Sequence, residues 1–91
     1  MDVEFDKAKN EKNIVKHGIS FVEAADFDYF SAQIEVDSRK DYGETRYIAL
    51  GYLYERLHVL CYVERPNGIR VISLRKANLR ERNKYEKKAI H

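Results

Sequence analysis

The stretch Leu57-His-Val-Leu-Cys-Tyr-Val-Glu-Arg-Pro-Asn-Gly-Ile-Arg-Val-Ile-Ser-Leu-Arg75 reads as two strands joined by a tight turn. Both arms, Leu57 to Glu64 and Ile69 to Arg75, are rich in β-branched and aromatic residues, which suit a pleated surface. Between them Pro66 brings a locked backbone angle that fits a type I turn. Gly68 then supplies the left-handed residue of a three-residue hairpin with a bulge. That turn predicts a register with Glu64 opposite Arg70, Tyr62 opposite Ile72 and Leu60 opposite Leu74. One face then carries Leu60, Tyr62, Ile72 and Leu74, bulky enough to lie under helices. The other carries Val59, Cys61, Val63, Val71, Ser73 and Arg75.

Outward from this hairpin, Ser31 to Asp37 and Arg46 to Gly51 read as two more strands, and the short loops imply an antiparallel meander. With Gly51 facing Leu57, Ile48 and Leu50 join the bulky face, while Tyr47 and Ala49 join the lighter one. Met1 to Phe5 alternates like a short strand. Asp6 caps a helix over 7–17, which Gly18 closes, with His17 in its last turn near the negative end of the helix dipole. Ser20 and Glu23 form a capping box for a second helix ending near Asp28. Beyond the hairpin, Asn78 and Glu81 form another box, opening a helix to about Ala89 with same-face pairs Glu81–Lys84 and Arg82–Glu86. Only Leu79, Tyr85, Ala89 and Ile90 give that helix anything to pack, so it should lie loosely on the domain or be held by a partner. The expected fold class is α+β: two N-terminal helices on a four- or five-stranded, mainly antiparallel sheet, with a basic C-terminal helix, all in one domain over 1–91.

Ninety-one residues with 44% hydrophobic and 35% charged composition allow one thin core. Cys61, the single cysteine, excludes an internal disulfide and reads as a buried thiol in a reducing compartment, with cytoplasm the expected location. No apolar run reaches the roughly 18 to 20 residues of a membrane span, and Met1-Asp-Val-Glu lacks the basic start of a signal peptide. The formal charge of +2 hides a polarised chain. From Arg70 onward eight Lys/Arg stand against Glu81 and Glu86, for +6, while the preceding residues carry nine bases and thirteen acids, for −4. A basic end of this kind attracts phosphate or an acidic protein. No metal or other cofactor is implied: His58 reads as a half-buried strand residue, and neither a metal-ligand spacing nor a glycine-rich phosphate loop is present.

Three separated motifs carry a family likeness. Phe5-Asp6, Lys9, Asn13, Lys16-His17-Gly18, Phe21 and Glu23-Ala24 are followed by Gly43-Glu44, Arg46 and Ala49-Leu50-Gly51, then by Ile72-Ser73, Arg75-Lys76-Ala77, Arg80-Glu81-Arg82 and Tyr85-Glu86. Together they resemble the BrnT toxins, bacterial ribonucleases of type II toxin–antitoxin systems, over about residues 3 to 87. The resemblance implies a RelE-like fold and RNA cleavage that arrests translation. It also implies a BrnA-like antitoxin, in a two-plus-two heterotetramer that binds operator DNA through the antitoxin and represses its own operon. The chain departs from the pattern at Leu74, where a small residue is common, and at Leu79, where a basic one often stands.

Metal-independent RNA cleavage needs a base for the attacking 2′-hydroxyl, a cation for the transition state and an acid for the leaving oxygen. Arg46 and Arg75 stand at strand ends, match the family pattern and have the planar donors that grip two phosphate oxygens. With Glu64 as a candidate base they form the expected catalytic set. Arg70, Ser73, Lys76 and Arg80 form the expected RNA-binding set. Each also has a plainer reading: Arg46 paired with a carboxylate such as Glu44, and Glu64 paired with Arg70. The register sets Arg75 and Ser73 on one face and Arg46, Glu64 and Arg70 on the other, so one site requires a bulge or strong twist between them. The tyrosines Tyr42, Tyr52 and Tyr54, expected in loops, could stack on bases or meet an antitoxin. A competing reading is a non-catalytic nucleic-acid- or antitoxin-binding module of a repressor complex.

Overall fold

A computed structural model describes residues 1–89; Ile90, expected to help pack the last helix, and His91 lie outside the described residues. The strands are β1 (Asp2–Glu4), β2 (Gln33–Val36), β3 (Tyr47–Leu53), β4 (Arg56–Arg65) and β5 (Gly68–Lys76). They form one sheet in the order β1-β5-β4-β3-β2. The meander from β2 to β5 is antiparallel as expected, but β1 joins β5 in parallel at the edge, which makes the sheet mixed. The helices are α1 (Lys7–His17) and α2 (Leu79–Ala89). The expected second N-terminal helix is instead a 3-10 segment, Phe21–Asp26, although its capping box is present, with Ser20 N donating to Glu23 Oε2 at 2.9 Å.

The hairpin register differs from the expectation near its turn. Arg65 pairs with Gly68 across a two-residue turn, Glu64 faces Ile69, Val63 faces Arg70 and Tyr62 faces Val71. A bulge then restores Cys61 to Ser73 and Leu60 to Leu74, leaving Ile72 as the extra residue. Gly68 is needed for a different reason from a left-handed turn: a Cβ there would overlap the backbone of Asp2, which runs alongside in β1. The bulge also has a packing cause. Val71 and Leu74 are three apart, yet both are buried in the same cluster, which strict alternation forbids.

Cross-strand partners assign the faces. Ala49 pairs with Leu60, and Gly51 with His58 rather than Leu57. Tyr47, Ala49, Leu53, Leu60, Tyr62, Ile69, Val71 and Leu74 therefore pack beneath the N-terminal segments, against Ile19, Phe21, Ala24 and Phe27. Ile48 and Leu50 face the other way, the reverse of the expected assignment. Little of α1's hold is apolar, since Ile14 and Val15 are exposed. Buried Asn13 instead donates from Nδ2 to Ile19 O at 3.0 Å and Leu74 O at 2.8 Å, and Asn10 Oδ1 accepts from Phe21 N at 2.7 Å. Gly18, at φ 71°, ends the helix as expected, its N–H donating to Ile14 O.

On the opposite face Ile48, Leu50, Leu57, Val59 and Ala77 surround Tyr85 of α2, which is 9% exposed. Tyr85 Oη donates to Ser31 O at 3.0 Å, and its own carbonyl accepts from Gln33 Nε2 at 3.0 Å. The last helix is thus pinned by one aromatic residue rather than lying loose. Leu79, one of the expected packing residues, is 67% exposed.

Candidate functional site

The α2 side of the sheet holds a cleft of about 330 Å³. Ile48, Leu50, Val59 and Cys61 form its floor. One wall is β2 with Gln33, Ile34 and Glu35, joined by Arg39 from the following loop. The other is α2 with Glu81, Lys84 and Lys88, at a spacing that puts all three on one helix face. Ser73 and Arg75 enter from β5.

Among the described residues, the Arg75 side chain donates more hydrogen bonds than any other cationic side chain of this cleft. Its Nη1 and Nη2 meet Glu81 Oε1 and Oε2 at 2.8 Å each, and Nη1 also donates to Lys76 O at 3.3 Å. A guanidinium has five N–H donors, so Nε–H and one Nη2–H are left without a partner among the described residues. The pairing follows from the chain path. Glu81 is also the capping residue of α2: its Oε1 accepts from Asn78 N at 2.9 Å while Asn78 Oδ1 accepts from Glu81 N at 2.8 Å. The cap turns the Glu81 carboxylate back toward the strand end where Arg75 emerges. Hydrogen bonding to Arg75 holds the Glu81 carboxyl below its usual range and raises the Arg75 guanidinium.

A second arginine is fixed at the other wall. Arg39 donates from Nε and Nη2 to Asp37 Oδ1 and Oδ2 at 2.8 Å each, and Tyr42 Oη donates to Asp37 Oδ2 at 3.1 Å. The Asp37 side chain is buried and that of Arg39 is largely exposed, so the carboxylate anchors the arginine at the rim. This pairing drives the Asp37 carboxyl far below its ordinary value. A depressed pKa stabilises the fold fully above the unfolded value near 4, and that contribution drains away as pH falls from there toward the folded pKa. Wild type should therefore melt at a higher temperature than Asp37→Asn near pH 7, and the two curves should converge in acid. A constant gap in thermal melts from about pH 7 to about pH 2 would mean that Asp37 is not paired in solution.

The expected site residues divide by face. Arg46 precedes Tyr47, whose ring packs beneath the N-terminal segments, so Arg46 shares the cleft face with Ile48. It lies beside the cleft with its guanidinium 4.0 Å from the Tyr42 ring, and its Nε is buried without a hydrogen-bond partner. Glu44 approaches it only at 4.0 Å. The bulge brings Arg70 onto the face of Ser73 and Arg75, and the β3–β4 register, with Gly51 opposite His58, places Arg46 there too, which removes the parity conflict for the arginines. Glu64 falls on the other face, near the Tyr47 hydroxyl, and its expected pairing with Arg70 is not formed. Lys76 shares that far face, opposite His58. Arg80 is exposed on the first turn of α2. Of the expected helix pairs, Lys84 instead meets Glu35 at 3.7 Å, and Glu81 is taken by Arg75.

Sequence reasoning missed Arg39, Glu35, Lys84 and Lys88 as cleft residues. Cys61, expected as a core thiol, is buried, and burial raises its pKa. Tyr42 does lie in a loop, but Tyr52 is within β3 and meets Tyr85 edge-on, while Tyr54, in the β3–β4 turn, bonds to Glu23 and Asp26. Among the described residues no group of three or more His, Cys, Asp or Glu side chains is placed to hold a metal ion, and no helix is long and apolar enough to cross a membrane.

A small α+β domain with an apolar-floored cleft rimmed by arginines and lysines has the features of a protein that handles phosphate-bearing chains. The chain belongs to the BrnT family: the family model described as "Ribonuclease toxin, BrnT, of type II toxin-antitoxin system" matches residues 5–81. It is thus a toxin of the ribonuclease class, and the family implies an antitoxin partner. A comparison with curated proteins found no match.

Proposed function

We propose that the cleft face around Arg75 is the RNA-cleaving site and that cleavage arrests translation. The observation carrying this reading is the Arg75 fork, held by Glu81 on one edge and open on the other, where it adjoins a cleft with Arg39, Lys84 and Lys88. In the proposed reaction the 2′-oxygen of one nucleotide bonds to its own 3′-phosphorus and gives up its proton. The bond from phosphorus to the 5′-oxygen breaks, and that oxygen takes a proton. Negative charge grows on the phosphoryl oxygens in between, and Arg75 offers two parallel donors to it. Arg46 adds positive charge on the same face. Glu64 lies on the far side of the sheet and is left out of the chemistry. Glu35, the cleft carboxylate not committed to an arginine fork, takes its place as candidate base. The reaction is proposed to need no metal.

Arg70, Ser73, Lys84 and Lys88 extend the phosphate-binding face, whereas Lys76 does not. RNA binding should therefore weaken steeply with salt as counterions are released. Reversing Lys84 and Lys88 to Glu should flatten the log–log slope by roughly 1 to 2, at about 0.7 per contact on single strands. Reversing Lys76 should leave it unchanged. An equal change from Lys76 would place the phosphate track outside the cleft.

The partner is proposed to be a BrnA-like antitoxin, in a two-plus-two assembly that represses its own operon in the cytoplasm, and the fold is read as RelE-like. A second, non-catalytic reading, a docking module within a repressor complex, draws on one observation: Arg39, Arg75 and Lys84 each already face a carboxylate of the same chain. Cleavage by the isolated chain separates the two.

A further inference from the structure

We propose that Glu81 is the positioning residue of the cleft: by gripping the outer edge of Arg75 it presents the Nε edge to a phosphate, and it couples that presentation to the start of α2. The inference rests on the reading of this cleft as the RNA-cleaving site. A lone arginine on a strand end samples many rotamers, and ordering it costs side-chain entropy. Here three contacts have already fixed it: both Glu81 oxygens at 2.8 Å and the Lys76 carbonyl at 3.3 Å. The two donors left over, Nε–H and one Nη2–H, are parallel, and their spacing matches two oxygens of one phosphoryl group. Glu81 is itself fixed by the reciprocal bonds with Asn78, so the order of the helix start is passed to the arginine. Glu81 touches no substrate in this account and acts only through Arg75.

Glu81→Gln tests this, because glutamine still completes a capping box but cannot accept from both nitrogens of the fork. We expect kcat on RNA to fall roughly 10- to 100-fold, as for misplacement of a reacting group. RNA affinity should hold or tighten, since a negative charge leaves the cleft. Asn78→Ala removes only the Oδ1 half of the cap and keeps the backbone N–H that holds Glu81 Oε1, so it should lower the melting temperature and largely spare kcat. Added to Arg75→Ala, Glu81→Gln should change kcat no further. The inference is overturned if Glu81→Gln leaves kcat intact, if it lowers kcat equally in the presence and absence of Arg75, or if Asn78→Ala reproduces its full loss. Should Arg75→Ala itself keep full cleavage, the site reading fails first, which distinguishes the two failures.

Discussion

Arg75→Ala should reduce RNA cleavage by about 100- to 1,000-fold, the usual loss when one donor to a developing oxyanion is removed, and cells expressing it should grow. The protein should stay folded. The Arg75–Glu81 pair is partly exposed, and a pair of that kind contributes roughly 1 kcal/mol or less. Arg75→Lys should recover little, because an ammonium group is one point of charge, whereas the site uses two edges of a plane: one for Glu81 and one for phosphate. Growth arrest by inducible expression, with circular dichroism as the folding control, checks both variants. Full toxicity in a well-expressed Arg75→Ala protein would remove this residue from the site.

Tyr85→Ala should cost about 3 kcal/mol or more, in line with truncation of a buried aromatic residue, and should free α2 from the sheet. The cause is the thin contact: among the described residues Tyr85 is the buried residue of α2, and its hydroxyl ties the helix to Ser31 O across the chain. With the helix loose, Glu81 no longer steadies Arg75, so activity should fall together with stability. Tyr85→Phe keeps the ring and loses one hydrogen bond, for a cost of about 1 kcal/mol. Amide exchange over Leu79–Ala89 reads the effect directly, with fast exchange expected in Tyr85→Ala and near-normal protection in Tyr85→Phe. Protection unchanged in Tyr85→Ala would mean that α2 is held by something other than its aromatic pin.

What was legible in the chain was local. The Asn78–Glu81 and Ser20–Glu23 boxes each lie within four residues, and the Leu60–Leu74 pairing and the meander follow from alternation and short loops. What was not legible depends on distant partners. The turn at Pro66-Asn67 holds two residues rather than three, and Gly68 is required instead by β1, more than sixty residues earlier in the chain, which lies against it and leaves no room for a Cβ. The bulge at Ile72 serves a core that Val71 and Leu74 share with Phe21. That bulge changes the face of Arg70, and the Gly51–His58 register changes the face of Arg46, so the arginines that alternation had separated come together. The Arg75–Glu81 fork crosses from strand to helix, where neither the period of 2 nor that of 3.6 applies. Arg39 owes its position to buried Asp37 in an irregular loop, for which composition gives no signal.

The most direct measurement is end-group analysis of RNA incubated with the purified chain in excess chelator, as free RNA and as message on translating ribosomes. The account predicts cleavage in at least one of the two, with a 2′,3′-cyclic phosphate or its opened product on one fragment, a 5′-hydroxyl on the other, and loss of both in Arg75→Ala. Intact RNA in both assays with a folded chain, or cleavage that needs added Mg²⁺ and leaves a 5′-phosphate, would contradict it.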